Sequence, residues 1–287
     1  MDAISVSAVR GRVVESRHRV HAVAVRDSEV LDAVGDPRLV TFMRSAAKPL
    51  QALPLALEHP DLGEEEVAIA CASHEALPEQ LAAVRSLLAR AGAREDDLEC
   101  GPVEGSKLRH NCSGKHAGML LRARAHGWAA DGYRLPEHPL QQGLLALVAD
   151  AAGVAVSEVE TATDGCGVVA FALPLWRLAF TFSRLVRAQL PGSAPIVSVM
   201  RAHPDLIGGP GAVDSRLMRE VPGAIAKRGA EGVLCVGLAE GTGVALKVED
   251  GSARAVGPAA ARFLGIPALQ EAPLVNSRGD EVGRVVG

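Results

Sequence analysis

Arg44-Ser45-Ala46-Ala47-Lys48-Pro49 sets a serine three residues ahead of a lysine at the start of a helical pattern. Three residues is about one helical turn, so the amine can fold back on the hydroxyl. A neutral lysine there takes the serine proton and makes the oxygen a nucleophile, and a helix start favours the negative charge that develops. Spacing alone fits a helix-capping serine and a surface lysine better. Composition weighs against that plainer account: of thirty basic residues only Lys48, Lys107, Lys115, Lys227 and Lys247 are lysine, the rest being arginine. Arginine cannot lose its proton inside a protein and a buried lysine can, so lysines kept against this bias are candidates for proton transfer or ligation.

Further reactive side chains cluster downstream. Cys71-Ala72-Ser73-His74-Glu75 follows an apolar run, and Ser73 reads either as a proton relay or as a cap ahead of Pro78. His110-Asn111-Cys112-Ser113-Gly114-Lys115-His116 packs seven residues with side chains that core packing does not call for. Asp164-Gly165-Cys166-Gly167 sets another cysteine between glycines. Two such thiols and a nitrogen ligand suit zinc with an open fourth position, although neither has Cys-x-x-Cys spacing and buried inert thiols fit as well. Lys227-Arg228-Gly229 leads into the apolar 233–238 and resembles the Lys-Thr-Gly element of penicillin-recognising serine enzymes, with Lys247 in the next strand as a competitor.

Alternating apolar and polar residues predict strands over 3–9, 20–25 and 39–43. Helical spacing predicts helices over 45–57, 78–92, 112–126, 138–152, 173–190 and 195–203. The segments 233–238 and 244–248, joined by a Gly-rich turn, read as an antiparallel hairpin. A helix over 258–264 and one or two short strands within 274–286 finish the chain. The expected architecture is α/β of the α+β type, one antiparallel sheet built from both chain ends with a helical lobe between. Residues 1–287 form one catalytic unit, with about 1–45 and 223–287 making the sheet and about 46–222 mostly helical.

Hydrophobic residues at 48% and charged residues at 22% exclude a disordered chain or a coiled coil. A net charge of -4 without a basic block argues against nucleic acid as a partner. The apolar stretch 165–176 is well short of the roughly 20 residues that a membrane span needs, so no membrane is expected either. Charged residues scattered through the first 25 positions leave no room for a signal peptide, and five cysteines without a Cys-x-x-Cys pair point to reduced thiols. A cytoplasmic location is expected.

Arg44 to Gln51, Cys71 to His74, His110 to Met119, Asp164 to Val168 and the segment from Ala226-Lys227 to Gly232 together resemble the rhizobial-type L-asparaginase II family, in order and over most of the chain. The resemblance implies a fold like that of serine β-lactamases and glutaminases, and hydrolysis of L-asparagine to aspartate and ammonia. It implies two Ser-Lys tandems as catalytic residues, Ser45 with Lys48 and Ser73 with Lys227. It implies a zinc site at Cys112, Lys115 and Cys166, substrate contacts at Arg44, His116 and Asp164, and a homodimer. The chain departs from the family pattern at Val169, where a proline is common, at Arg228, where a small residue is common, and near Val213, where an arginine is frequent. The last two bear on substrate preference, which leaves a glutaminase, a β-lactamase-like hydrolase and a non-catalytic amino-acid-binding protein as rivals.

Overall fold

The computed structural model describes residues 2–287. Three strands open the chain, β1 (Ile4–Arg10), β2 (Val13–Arg26) and β3 (Glu29–Val34), followed by the short β4 (Val40–Phe42). A helical region comes next. It comprises a 3-10 turn (Arg44–Ala47), α1 (Lys48–Gln51), α2 (Leu53–Glu58), α3 (Glu64–Ala70), α4 (Pro78–Arg90), α5 (Ser113–Ala125) and α6 (Pro139–Ala152). The hairpin β5 (Glu160–Thr163) and β6 (Val169–Pro174) interrupts it before α7 (Leu175–Val186), α8 (Ser193–Ala202), α9 (Pro204–Gly208) and α10 (Val213–Glu220). The chain ends with β7 (Ile225–Gly229), β8 (Val233–Gly237), β9 (Gly243–Val248), α11 (Val256–Leu264), β10 (Glu271–Val275) and β11 (Glu281–Val286).

Among the described residues the main sheet runs β10-β11-β1-β2-β9-β8-β7, with β3 also paired to β2, and every pairing is antiparallel. The long β2 knits the two chain ends together: β1 pairs with its first half, β3 with its last residues, and β9 over Val20 to Val25. The centre of this sheet is apolar on both faces. Every residue of β8 is buried, as is every residue of β9 except Lys247, which requires cover on each side. The amphipathic α7 supplies one cover, burying Leu175, Leu178, Ala179, Phe182 and Leu185 against β2, β8 and β9. The missing side chain of Gly237 admits this helix, since a Cβ there would sit 3.1 Å from the Phe182 carbonyl oxygen. The second cover is α11.

The fold class is α/β with an antiparallel sheet. Two departures from the sequence reading matter for the site. The helix expected over 45–57 is split into a 3-10 turn and two short helices, with Pro54 at the start of the second. A second sheet, ordered β4-β6-β5, lies within the otherwise helical region. Because β4 runs antiparallel to β6, the residues after β4 are carried up beside the loop that joins β5 to β6.

Candidate active site

That arrangement brings Arg44 to Asp164. The Arg44 Nε donates to Asp164 Oδ1 at 2.9 Å, and the same oxygen accepts from the backbone N–H of Gly165. Arg44 holds φ at +50°, in the left-handed region. A bulky residue there costs about 1–3 kcal/mol, a strain found where a neighbouring side chain must be aimed. The neighbour is Ser45, half-buried at the start of the 3-10 turn.

Lys48, one turn on, is buried. Its amine donates to the carbonyls of Ala72 at 2.5 Å and Asn111 at 3.2 Å and lies 3.0 Å from Ser73 Oγ. Carbonyls only accept, so they consume two N–H groups, and the serine hydroxyl is the one partner of the three able to give a proton. Burial pushes Lys48 below its ordinary pKa, against the opposing pull of Cys112. The structure thus joins Lys48 to Ser73, and among the described residues no hydrogen bond links Lys48 to the Ser45 hydroxyl. Ser73 sits in the loop after α3, its N–H held by the Ile207 carbonyl at 2.8 Å. His74 beside it contacts Ser113 Oγ through Nε2 at 2.8 Å, and burial lowers its pKa to about 4.

Lys227 projects from β7 into the same interior. Its amine donates to Asp214 Oδ2 at 3.1 Å and to the Arg228 carbonyl at 3.0 Å, with both ion-pair partners fully buried. No hydrogen bond joins Lys227 to Ser73 among the described residues. Lys247 is spent elsewhere, on the carbonyls of Glu231 and Val248. The strand that carries Lys227 lies close to the serine turn: a Cβ on Gly229 would come within 2.7 Å of the Met43 carbonyl and 3.2 Å of Arg44 Cβ.

The first turn of α5 brings Cys112 and Lys115 to the β5–β6 loop. Lys115 Nζ lies 3.2 Å from Cys166 Sγ, and the Cys112 thiol donates to Asn111 Oδ1 at 3.2 Å. The neighbouring Cys166 thiol, with Lys48 and Lys115 nearby, holds Cys112 well below the ordinary thiol range despite burial, whereas Cys166, beside Cys112 and buried, is pushed up. Burial opposes charge on Lys115, but Cys166, Cys112 and Asp164 outweigh it and raise its pKa. Among the described residues no group of three histidine, cysteine, aspartate or glutamate side chains is placed to hold a metal. Two thiols and an amine nevertheless form a donor set of the kind zinc accepts, once the amine gives up its proton. His116 is fully buried, with Nδ1 2.7 Å from the Tyr133 hydroxyl and Nε2 without a hydrogen-bond partner among the described residues.

Sequence reasoning did not find Asp214 or the Arg228–Glu75 contact at 3.5 Å. An acid in the first turn of a helix is ordinary, so only its pairing with Lys227 distinguishes Asp214.

The chain belongs to the L-asparaginase II family, whose model matches residues 6–285. Membership of that family makes it a hydrolase. No curated protein matches it. Solved structures similar to it include a candidate β-lactamase from Bacteroides dorei DSM 17855, 13% identical, covering 86% of this chain and 93% of that one with a TM-score of 0.46. They also include EstCE1, a hydrolase with promiscuous acyltransferase activity, 13% identical, covering 80% and 88% with a TM-score of 0.43. A β-lactamase from Desulfarculus baarsii DSM 2075 is 17% identical, covering 86% and 92% with a TM-score of 0.41. No helix among the described residues is long and apolar enough to cross a membrane.

Proposed function

We propose that the chain hydrolyses L-asparagine to L-aspartate and ammonia through an acyl-enzyme on Ser45. The observation that carries this reading is the Lys48 amine, buried and bonded to two carbonyls and one serine hydroxyl. Burial shifts the amine toward its neutral form, the form that works as a base. Ser45, one turn ahead of Lys48 and less buried than Ser73, is the hydroxyl with room to meet a substrate.

Lys48 takes the Ser45 proton as the oxygen attacks the side-chain amide carbon. The C–N bond then breaks, and the departing nitrogen receives a proton through Ser73, with Lys227 as the cation that supports the relay. Water attacks the resulting ester, giving its proton to the same base and restoring Ser45. The backbone N–H of Ser45 holds the oxyanion, since the next N–H after Lys227, that of Arg228, is committed to Asp214. Arg44 and Asp164 present opposite charges to the α-carboxylate and α-ammonium of the amino acid. His116 acts indirectly, since its ring is buried against Tyr133. Cys112, Cys166 and Lys115 would hold zinc, which supplies a positive centre for orienting a carboxylate. The expected homodimer belongs to the same reading and is checked by sedimentation.

The Lys48–Ser73 hydrogen bond favours a second reading in which the serines exchange roles and Ser73 is the nucleophile. Ammonia release from asparagine and from glutamine, with nitrocefin hydrolysis alongside, tests the proposed substrate. Turnover of asparagine ahead of the others supports the proposal. Saturable asparagine binding without turnover makes the chain a binding protein instead.

A further inference from the structure

We infer that Asp214 is the positioning residue that keeps Lys227 charged and fixed inside the active site. The inference rests on the reading that Lys227 takes part in returning the proton.

The carboxylate is committed on both oxygens. Asp214 Oδ2 accepts from Lys227 Nζ and from the Arg228 backbone N–H, each at 3.1 Å. Oδ1 accepts from the Ser215 N–H at 3.2 Å and lies 3.7 Å from Arg228 Nε. The fold leaves space for it: a Cβ on Gly208 would come within 2.5 Å of Asp214 Oδ1 and 2.9 Å of Ser215 Oγ.

The charges around Lys227 leave Asp214 without a substitute. Facing the amine are Asp214 from α10, Arg228 from β7, Lys48 from α1 and the Cys71 thiol after α3. Arg228 repels a second cation, and so does Lys48 once it has taken up a proton. Burial pushes Cys71 up to about 12, so its thiol is neutral and offers no counter-charge. Burial lowers Lys227, Asp214 opposes it, and the balance stands at about 8. An ammonium has three N–H groups. Asp214 and the Arg228 carbonyl take two, and among the described residues the third has no protein partner, which leaves it for the relay hydroxyl or the substrate. Asp214 therefore acts through Lys227, selecting its charge state and the direction of its remaining proton.

The test uses full-length protein carrying 13C-labelled lysine. With only five lysines in the chain, the Lys227 side-chain carbon signal is assigned by its loss in Lys227→Met and titrated by NMR. In Asp214→Asn the Lys227 midpoint is expected to fall by at least about one pH unit, and the alkaline limb of kcat/KM moves the same way with a lower kcat. In Asp214→Glu the charge is retained but the longer side chain displaces the carboxylate, so the midpoint lies between those of Asp214→Asn and the wild-type protein. A folded Asp214→Asn protein with an unchanged Lys227 midpoint overturns the inference. If Asp214→Asn does not fold, Asp214→Glu carries the test, because its longer side chain moves the carboxylate: a displaced midpoint supports the inference and a wild-type one overturns it. The titration does not depend on amidase activity. A shifted midpoint in a protein that turns over no asparagine keeps the Asp214 assignment and removes the proposed function.

Discussion

The Lys48 amine and the Ser73 hydroxyl lie 3.0 Å apart in the interior, although 25 residues separate them along the chain. The contact exists because α1 and the loop after α3 meet there, with the Ala72 and Asn111 carbonyls also holding the amine. A neutral Lys48 then has its lone pair free only toward an O–H.

Lys48→Arg is expected to lose more than tenfold in kcat/KM, equivalent to at least about 1.4 kcal/mol of transition-state stabilisation. Arginine keeps the charge and cannot act as a neutral base. Steady-state kinetics on the folded variant checks this, and retention of more than a tenth of the wild-type rate rules out the proton-transfer role.

The buried Lys227–Asp214 pair makes a stability prediction of its own. Removing one partner, as in Lys227→Met, leaves an unpaired charge in the interior and should cost about 3–5 kcal/mol. The double variant Lys227→Met/Asp214→Leu should recover most of that loss. Urea denaturation of the wild-type protein, Lys227→Met, Asp214→Leu and the double variant distinguishes this from simple additivity.

His74 gives a pH dependence with a definite sign. Its folded pKa is lowered from 6.5 to about 4 by burial, so between these values the unfolded chain binds more protons. Its contribution to stability is therefore complete above about pH 6.5 and is lost as the pH falls toward 4. Replacing His74 with Gln, which keeps a polar side chain and does not titrate, should flatten the fall in melting temperature across that window. An equally steep fall in the variant would assign the acid loss to other groups.

How far the fold could be read from the sequence depended on which faces are buried. The helix α4 was legible because its apolar residues recur with the helical period, and the hairpin of β8 and β9 because two short apolar runs flank a Gly-rich turn. The β5 strand was not, since Glu160-Thr161-Ala162-Thr163 is exposed throughout and carries no pattern. Missing it hid the β5–β6 hairpin, whose loop brings Asp164 to Arg44 and Cys166 to Lys115. Residue chemistry singled out Ser45, Lys48, Ser73 and Lys227 individually. Which lysine contacts which group was beyond a sequence, because partners such as Asp214 and the Asn111 carbonyl are chosen by tertiary packing.

Zinc binding should depend steeply on pH. Two thiols and the Lys115 amine, whose pKa is raised, must all release protons before they ligate, so affinity falls as pH falls. About one zinc per chain is expected from purification without chelator, and Cys112→Ser or Cys166→Ser should abolish it while much of the stability remains. Elemental analysis and melting curves provide the check. Absence of zinc from fresh protein, with no response to added zinc, would mark these cysteines as ordinary thiols.

The most direct test of the Ser-Lys acyl-enzyme is to quench the protein during asparagine turnover and locate the covalent intermediate by peptide mass spectrometry. The account predicts an aspartyl ester on Ser45 in the wild-type protein, and neither ester nor ammonia release from Ser45→Ala. Ammonia release undiminished in Ser45→Ala, or an ester found on Ser73 alone, would contradict it.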